Sequence, residues 1–97
     1  DPNSITLVAE KDNEIIGVAS LYLIQKLTRK MGLIEDVAVN ENYRGNGTGK
    51  LLVESLTKLA FQNNCDKAVL NTSEKNVPFY EKMGFKRNEL QLILRND

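Results

Sequence analysis

The sequence predicts an α+β fold, a mixed and mostly antiparallel sheet with helices packed on it. Three observations predict it. Short β-leaning runs fill the first forty residues, separated by polar turn clusters. One long stretch follows in which apolar residues recur at helical spacing. After it, short strand and helix patterns alternate, giving the order β-β-β-α-β-α-β-β.

Residues 5–10 form the first run, and Lys11, Asp12, Asn13 and Glu14 make a polar turn after it. Residues 15–24 carry β-branched and aromatic side chains, so the two runs read as a β-hairpin. A polar and basic loop is expected over 25–32, then a strand over 33–39 interrupted by Glu35 and Asp36. Asn40 or Asn42 suits a left-handed turn residue. The helix over 48–63 presents Leu51, Leu52, Leu56, Leu59 and Ala60 as one stripe, with Asn63 and Asn64 ending it. A strand over 67–71 follows, then a loop over 72–75. Asn76 can cap a helix over 77–83, with Pro78 tolerated in its first turn and Gly84 terminating it. Final strands are expected over 85–86 and 90–95, with Arg87, Asn88 and Glu89 between them.

With 97 residues the chain reads as one domain, 1–97, burying roughly 60–68% of its unfolded surface. Thirteen basic and thirteen acidic side chains cancel, which argues against broad nucleic-acid or membrane electrostatics. No apolar run approaches the ~20 residues of a transmembrane helix. The single Cys65 and the absence of histidine give no credible metal set, and a cytoplasmic setting fits. Asn46-Gly47-Thr48 and Asn71-Thr72-Ser73 match the glycosylation sequon, a chance match in that setting.

The most informative stretch runs Arg44, Gly45, Asn46, Gly47, Thr48, Gly49, Lys50. It joins a predicted strand to a predicted helix, so loop N–H groups and the first helical turn converge on one spot that favours an anion. A Walker loop fails here, because Arg44 and Leu51 stand where it needs Gly and Ser or Thr. The dinucleotide fingerprint fails too, with Lys50 at its third glycine and Asn71 and Thr72 where an acid is expected. What fits is Arg-x-x-Gly-x-Gly, as Arg44, Gly47 and Gly49.

That pattern, together with Gly32-Leu33-Ile34-Glu35-Asp36-Val37-Ala38-Val39, Asn64-Cys65-Asp66-Lys67 and Glu74-Lys75-Asn76-Val77-Pro78-Phe79-Tyr80-Glu81-Lys82-Met83-Gly84-Phe85, resembles the GNAT N-acetyltransferase superfamily. Within it the chain is most similar to the eukaryotic-type glucosamine-6-phosphate N-acetyltransferases, over about residues 5–95. The resemblance implies the GNAT-like sheet, lacking the usual N-terminal strand and two helices. It implies acetyl-CoA as donor, no metal, direct attack by the amine in a ternary complex, and a homodimer. Another small amine, a protein amine, or a truncated fold that binds acetyl-CoA without turnover are the alternatives.

Residue by residue, the resemblance places the pyrophosphate on the loop from Arg44 through Gly45, Asn46, Gly47, Thr48 and Gly49 to Lys50. Thr48 departs from the apolar residue usual there, and either donates its hydroxyl to phosphate or caps the helix. Val37, Ala38 and Val39 are expected to pair with the pantetheine arm through backbone, an N–H near Val39 polarising the thioester carbonyl. Their side chains read equally as core. Asn76 and Phe79 fall at the cofactor arm, Asn76 also being a plain helix cap. Tyr80 is the candidate to stabilise or protonate the departing thiolate; otherwise it is a tyrosine packing on the sheet. Asn71 offers a main-chain carbonyl to orient the amine, where relatives often carry an acid. Glu35 and Asp36, on opposite faces of a regular strand, leave at least one to line the acceptor cleft. Arg95 matches a C-terminal basic residue that contacts the sugar phosphate across the dimer.

Overall fold

The computed structural model describes residues 2–88 and 90–96. Four strands form one sheet in the order β1-β2-β3-β4: Ser4–Lys11, Glu14–Gln25, Lys30–Val39 and Lys67–Leu70. The first two pairs are antiparallel, and β3 pairs β4 in parallel. A parallel pair needs a crossover, supplied by helix α1, Thr48–Gln62. A 3-10 turn, Glu74–Asn76, leads into the short helix α2, Val77–Glu81. The mixed sheet with packed helices is the predicted fold class.

The first hairpin turns through Asp12 and Asn13, both at positive φ (52° and 64°). Asp and Asn tolerate that region, and two such residues match the right-handed twist of the strands. The second hairpin is tighter than the sequence suggests, with four residues between Gln25 and Lys30 rather than a loop over 25–32. The Gln25 amide donates to the carbonyls of Lys26 (2.8 Å) and Arg29 (3.1 Å), and this holds the turn while Gln25 pairs Lys30.

Helix α1 lies across the sheet and buries Leu52, Val53, Leu56 and Ala60 against Ala19, Leu21 and Ile34. Val53, not Leu51, completes the stripe; Leu51 faces solvent. The approach is close because β3 carries Gly32. A Cβ there would stand 2.8 Å from Leu21 Cδ1 and 2.9 Å from Ala60 Cβ. The helix ends as expected. Asn64 takes positive φ (66°), the Asn63 amide donates to Leu59 O, and Cys65 N–H donates to Ala60 O.

Two expectations fail near the turns. Neither Asn40 nor Asn42 is left-handed; Asn40 Oδ1 instead accepts from Asn42 N–H at 2.9 Å and starts the 3-10 turn Glu41–Tyr43. Helix α2 stops at Glu81, two residues early, with Gly84 (φ 99°) closing the turn beyond it.

The larger correction is at the C-terminus. Neither 85–86 nor 90–95 forms a strand among the described residues, and Glu89 of the intervening turn lies outside them. Leu90, Leu92 and Leu94 are more than nine-tenths exposed, and Ile93 is also exposed. β-propensity reports a fit to a pleated, half-buried surface. Without a hydrogen-bonding neighbour among the described residues the apolar run forms no strand.

Candidate functional site

Strand β3 carries the candidate site, and a bulge interrupts it there. Val18 pairs Ala38 and Ser20 pairs Glu35, so two residues of β3, Asp36 and Val37, oppose the single Ala19. Asp36 absorbs the extra residue at positive φ (58°), which a short polar side chain tolerates. The bulge overrides simple alternation. Glu35 and Asp36 are both exposed, and neither is buried in a cleft within this chain.

The bulge also sits where the sheet opens. β4 pairs β3 only from Met31↔Lys67 to Ile34↔Leu70. From Glu35 to Val39, β3 has β2 on one side and no strand on the other among the described residues. Val37, Ala38 and Val39 therefore offer backbone along an open edge, the arrangement by which an extended ligand adds to a sheet. Asn71, the first residue after β4, stands exposed across this opening.

The glycine-rich loop follows directly. Arg44 is exposed, and its Nε donates to Val39 O at 3.3 Å. Arg44 thus ties the loop to the end of β3. Gly45 and Gly47 take φ of 85° and 82°, values a side chain would strain, and a Cβ on either meets nothing within 4 Å. Gly47 is the N-cap of α1 and supplies no side-chain cap. The leading N–H groups of α1 keep their hydrogen-bonding capacity, with no acidic residue in the first turn and Lys50 exposed beside them. Thr48 is the first helical residue rather than its cap, and its methyl lies toward Gly17, where a Cβ would be 3.1 Å away.

Gly49 joins the parts. A Cβ there would meet Val39 Cγ2 at 3.5 Å and Phe79 Cζ at 3.7 Å, so strand end, loop and α2 converge on it. Phe79 stacks edge-on against Tyr80 (4.9 Å between centroids), and Tyr80 against Phe85 (6.0 Å). Phe85 enters the sequence pattern only as part of the Gly84-Phe85 motif, with no place in the site assigned to it. Tyr80 is half-buried, and burial raises its pKa above 10.0, so the phenol keeps its proton at neutral pH. The Asn76 side chain makes no cap bond and remains exposed, which removes the plain capping reading.

Arg95, assigned from the sequence, is not drawn into this cluster, and neither is Cys65, to which the sequence gives no site role. Arg95 is exposed in the C-terminal segment, without a hydrogen bond or ion pair among the described residues. Cys65 packs under Gly32, and burial raises its thiol pKa, which leaves it inert as a nucleophile. A concavity of about 560 Å³ lies elsewhere, between the far half of α1 and Met83 and Phe85. No helix among the described residues is long and apolar enough to cross a membrane.

Comparisons with known proteins bear on the fold and the family. A glucosamine 6-phosphate N-acetyltransferase of Trypanosoma brucei brucei is 46% identical over 83 residues, covering 82% of this chain and 56% of its own length. The crystal structure of glucosamine-6-phosphate N-acetyltransferase from Arabidopsis thaliana superposes with a TM-score of 0.91 at 32% identity, over 98% of this chain and 68% of that one. A predicted acetyltransferase from Clostridium acetobutylicum, solved with acetyl-CoA, matches at a TM-score of 0.85 and 26% identity, over 97% of this chain and 65% of that one. The chain spans a little over half the length of the curated relatives it matches. The family profile described as "Acetyltransferase (GNAT) family" matches residues 1–85, and the chain belongs to that family.

Proposed function

We propose that this chain is an acetyl-CoA-dependent N-acetyltransferase whose acceptor is the amine of glucosamine 6-phosphate. The observation that carries the reading is the open edge of β3 running straight into the uncapped N-terminus of α1. One supplies a backbone track for the pantetheine arm, the other an anion cradle for the pyrophosphate. The relatives' names point to the sugar phosphate.

Acetyl-CoA supplies the acetyl group as a thioester. The loop from Asn46 to Lys50 would hold its pyrophosphate through N–H groups, with Arg44 fixing the loop and Lys50 adding charge. Val37, Ala38 and Val39 would align the arm, and an N–H near Val39 would polarise the carbonyl oxygen. Asn76 and Phe79 would flank the arm, Phe79 through its contact at Gly49. The Asn71 carbonyl would accept from the attacking amine and orient its lone pair. Tyr80 holds a proton that it can donate to the leaving sulfur. Glu35 and Asp36, both exposed beside the opening, would receive the sugar's hydroxyl and amine groups.

The acceptor side would be completed by a homodimer. Leu90, Leu92, Ile93 and Leu94 need an apolar partner, and β4 is an edge strand able to take another strand. A second copy would supply Arg95 to the sugar phosphate. The free, buried thiol of Cys65 supports a reducing, cytoplasmic setting.

The test is thiol release from acetyl-CoA with and without glucosamine 6-phosphate. Release that depends on the sugar is expected. Release with other amines but not with this sugar would replace the acceptor, a reading that Asn71, in place of an acid, specifically favours. Donor binding without release would reduce the chain to a non-catalytic binding domain.

A further inference from the structure

The loop that receives the donor contains the chain's sole Asn-Gly pair, Asn46-Gly47. We propose that Asn46-Gly47 is a self-modification site, whose spontaneous deamidation places a carboxylate or an isoaspartyl linkage in the anion loop and lowers its affinity for the acetyl donor. Asn46 is exposed and stands in a bend between the 3-10 turn and α1, outside any strand ladder. Its side chain makes no hydrogen bond among the described residues. Asn63, by contrast, donates to Leu59 O at 2.8 Å, and Asn40 accepts from Asn42 N–H at 2.9 Å.

The chemistry balances without an oxidant or reductant. The Gly47 backbone nitrogen, once deprotonated by solvent base, attacks Asn46 Cγ. A five-membered succinimide forms and the side-chain nitrogen leaves as ammonia. Water then opens either ring carbonyl, giving aspartate or its isoaspartyl isomer. Two features of the fold favour the first step. Gly47 has no side chain to block the attack, and open space surrounds it. It is also the N-cap of α1, where the helix dipole stabilises the anionic amide nitrogen.

The product opposes the function of the loop. A carboxylate at residue 46 competes with a phosphate for the same N–H groups. The isoaspartyl form also adds a backbone atom to a turn that depends on Gly45 and Gly47 at positive φ. This consequence rests on the acetyl-CoA reading; the deamidation does not.

The experiment is to age the chain at mildly alkaline pH, with and without saturating coenzyme A. Residue 46 is followed by peptide mass spectrometry and isoaspartyl methyltransferase labelling. Conversion at 46 is expected ahead of every other asparagine, and coenzyme A should slow it several-fold. Calorimetry should show a several-fold weaker affinity in the aged chain and in Asn46→Asp than in fresh protein. An intact residue 46 in a chain that deamidates elsewhere overturns the site. Conversion with unchanged affinity and no protection overturns its consequence. Fresh protein that binds no coenzyme A overturns the acetyl-CoA reading and the consequence together, while the mass spectrum still decides the deamidation on its own.

Discussion

The donor end of the molecule and its C-terminal end differ in what they are built from. Between Asp36 and Lys50 the groups on offer are backbone N–H and C=O, placed by a bulge, two left-handed glycines and a helix start. That end is self-supporting, since Arg44 ties the loop to Val39 and Phe79 closes on Gly49. The C-terminal end consists of side chains without a surface. Leu90, Leu92 and Leu94 project into solvent, and Arg95 contacts nothing among the described residues. A phosphate cradle can be complete within one short stretch of chain. An acceptor site made of side chains needs other elements, which the proposed second copy would supply.

Substitutions at the donor end should have the largest effects. Gly47→Asp places a Cβ at φ 82° and a negative charge at the helix N-terminus. Left-handed geometry costs ~1–2 kcal/mol, and reversed dipole complementarity up to ~1 kcal/mol more. Coenzyme A affinity, read by calorimetry, should fall by about a hundredfold on those terms. Normal binding would break the assignment of the loop. Tyr80→Phe should lower turnover by up to about a hundredfold, with KM for acetyl-CoA little changed. Unchanged turnover would make Tyr80 a packing residue only.

The shared scaffold comes next. Gly32→Ala drives a methyl into Leu21 and Ala60 and should cost ~1–3 kcal/mol of stability. At ~4–8 °C per kcal/mol for a chain of this size, a lower Tm should report it. The pH dependence has a definite sign. Folding raises the Tyr80 pKa above 10.0 because the phenolate is partly desolvated. The folded state then holds that proton more tightly than the unfolded one. Stability from this group is full below pH 10 and falls as pH rises beyond it, which a Tm series in Tyr80→Phe should flatten.

Smallest is the exposed ion pair by which Arg87 grips Glu74 in a bidentate contact. Arg87→Ala should leave Tm nearly unchanged, as solvent-screened pairs do. A large loss would show the C-terminal end to be better anchored than its exposed leucines suggest.

The same contrast governs what the sequence reveals. The loop was legible because glycine spacing between a strand and a helix constrains backbone directly. The bulge was not, since Glu35 and Asp36 read as ordinary alternating neighbours and nothing local marks Asp36 as left-handed. The strand over 90–95 was misread for the opposite reason. Its alternation is real, but a strand exists only with a partner, and the pattern does not say where the partner is. Asn76 read as a cap because its residue type suits one, while the 3-10 turn Glu74–Asn76 carries the chain into α2 without that bond.

The most direct test of the central claim is amide-resolved NMR of the chain titrated with coenzyme A. The largest shifts should fall on the N–H groups of Asn46 to Lys50 and of Val37 to Val39, with smaller ones at Asn76 and Phe79. Shifts centred instead on Thr57, Phe61, Met83 and Phe85, around the larger groove beside α1, would contradict it.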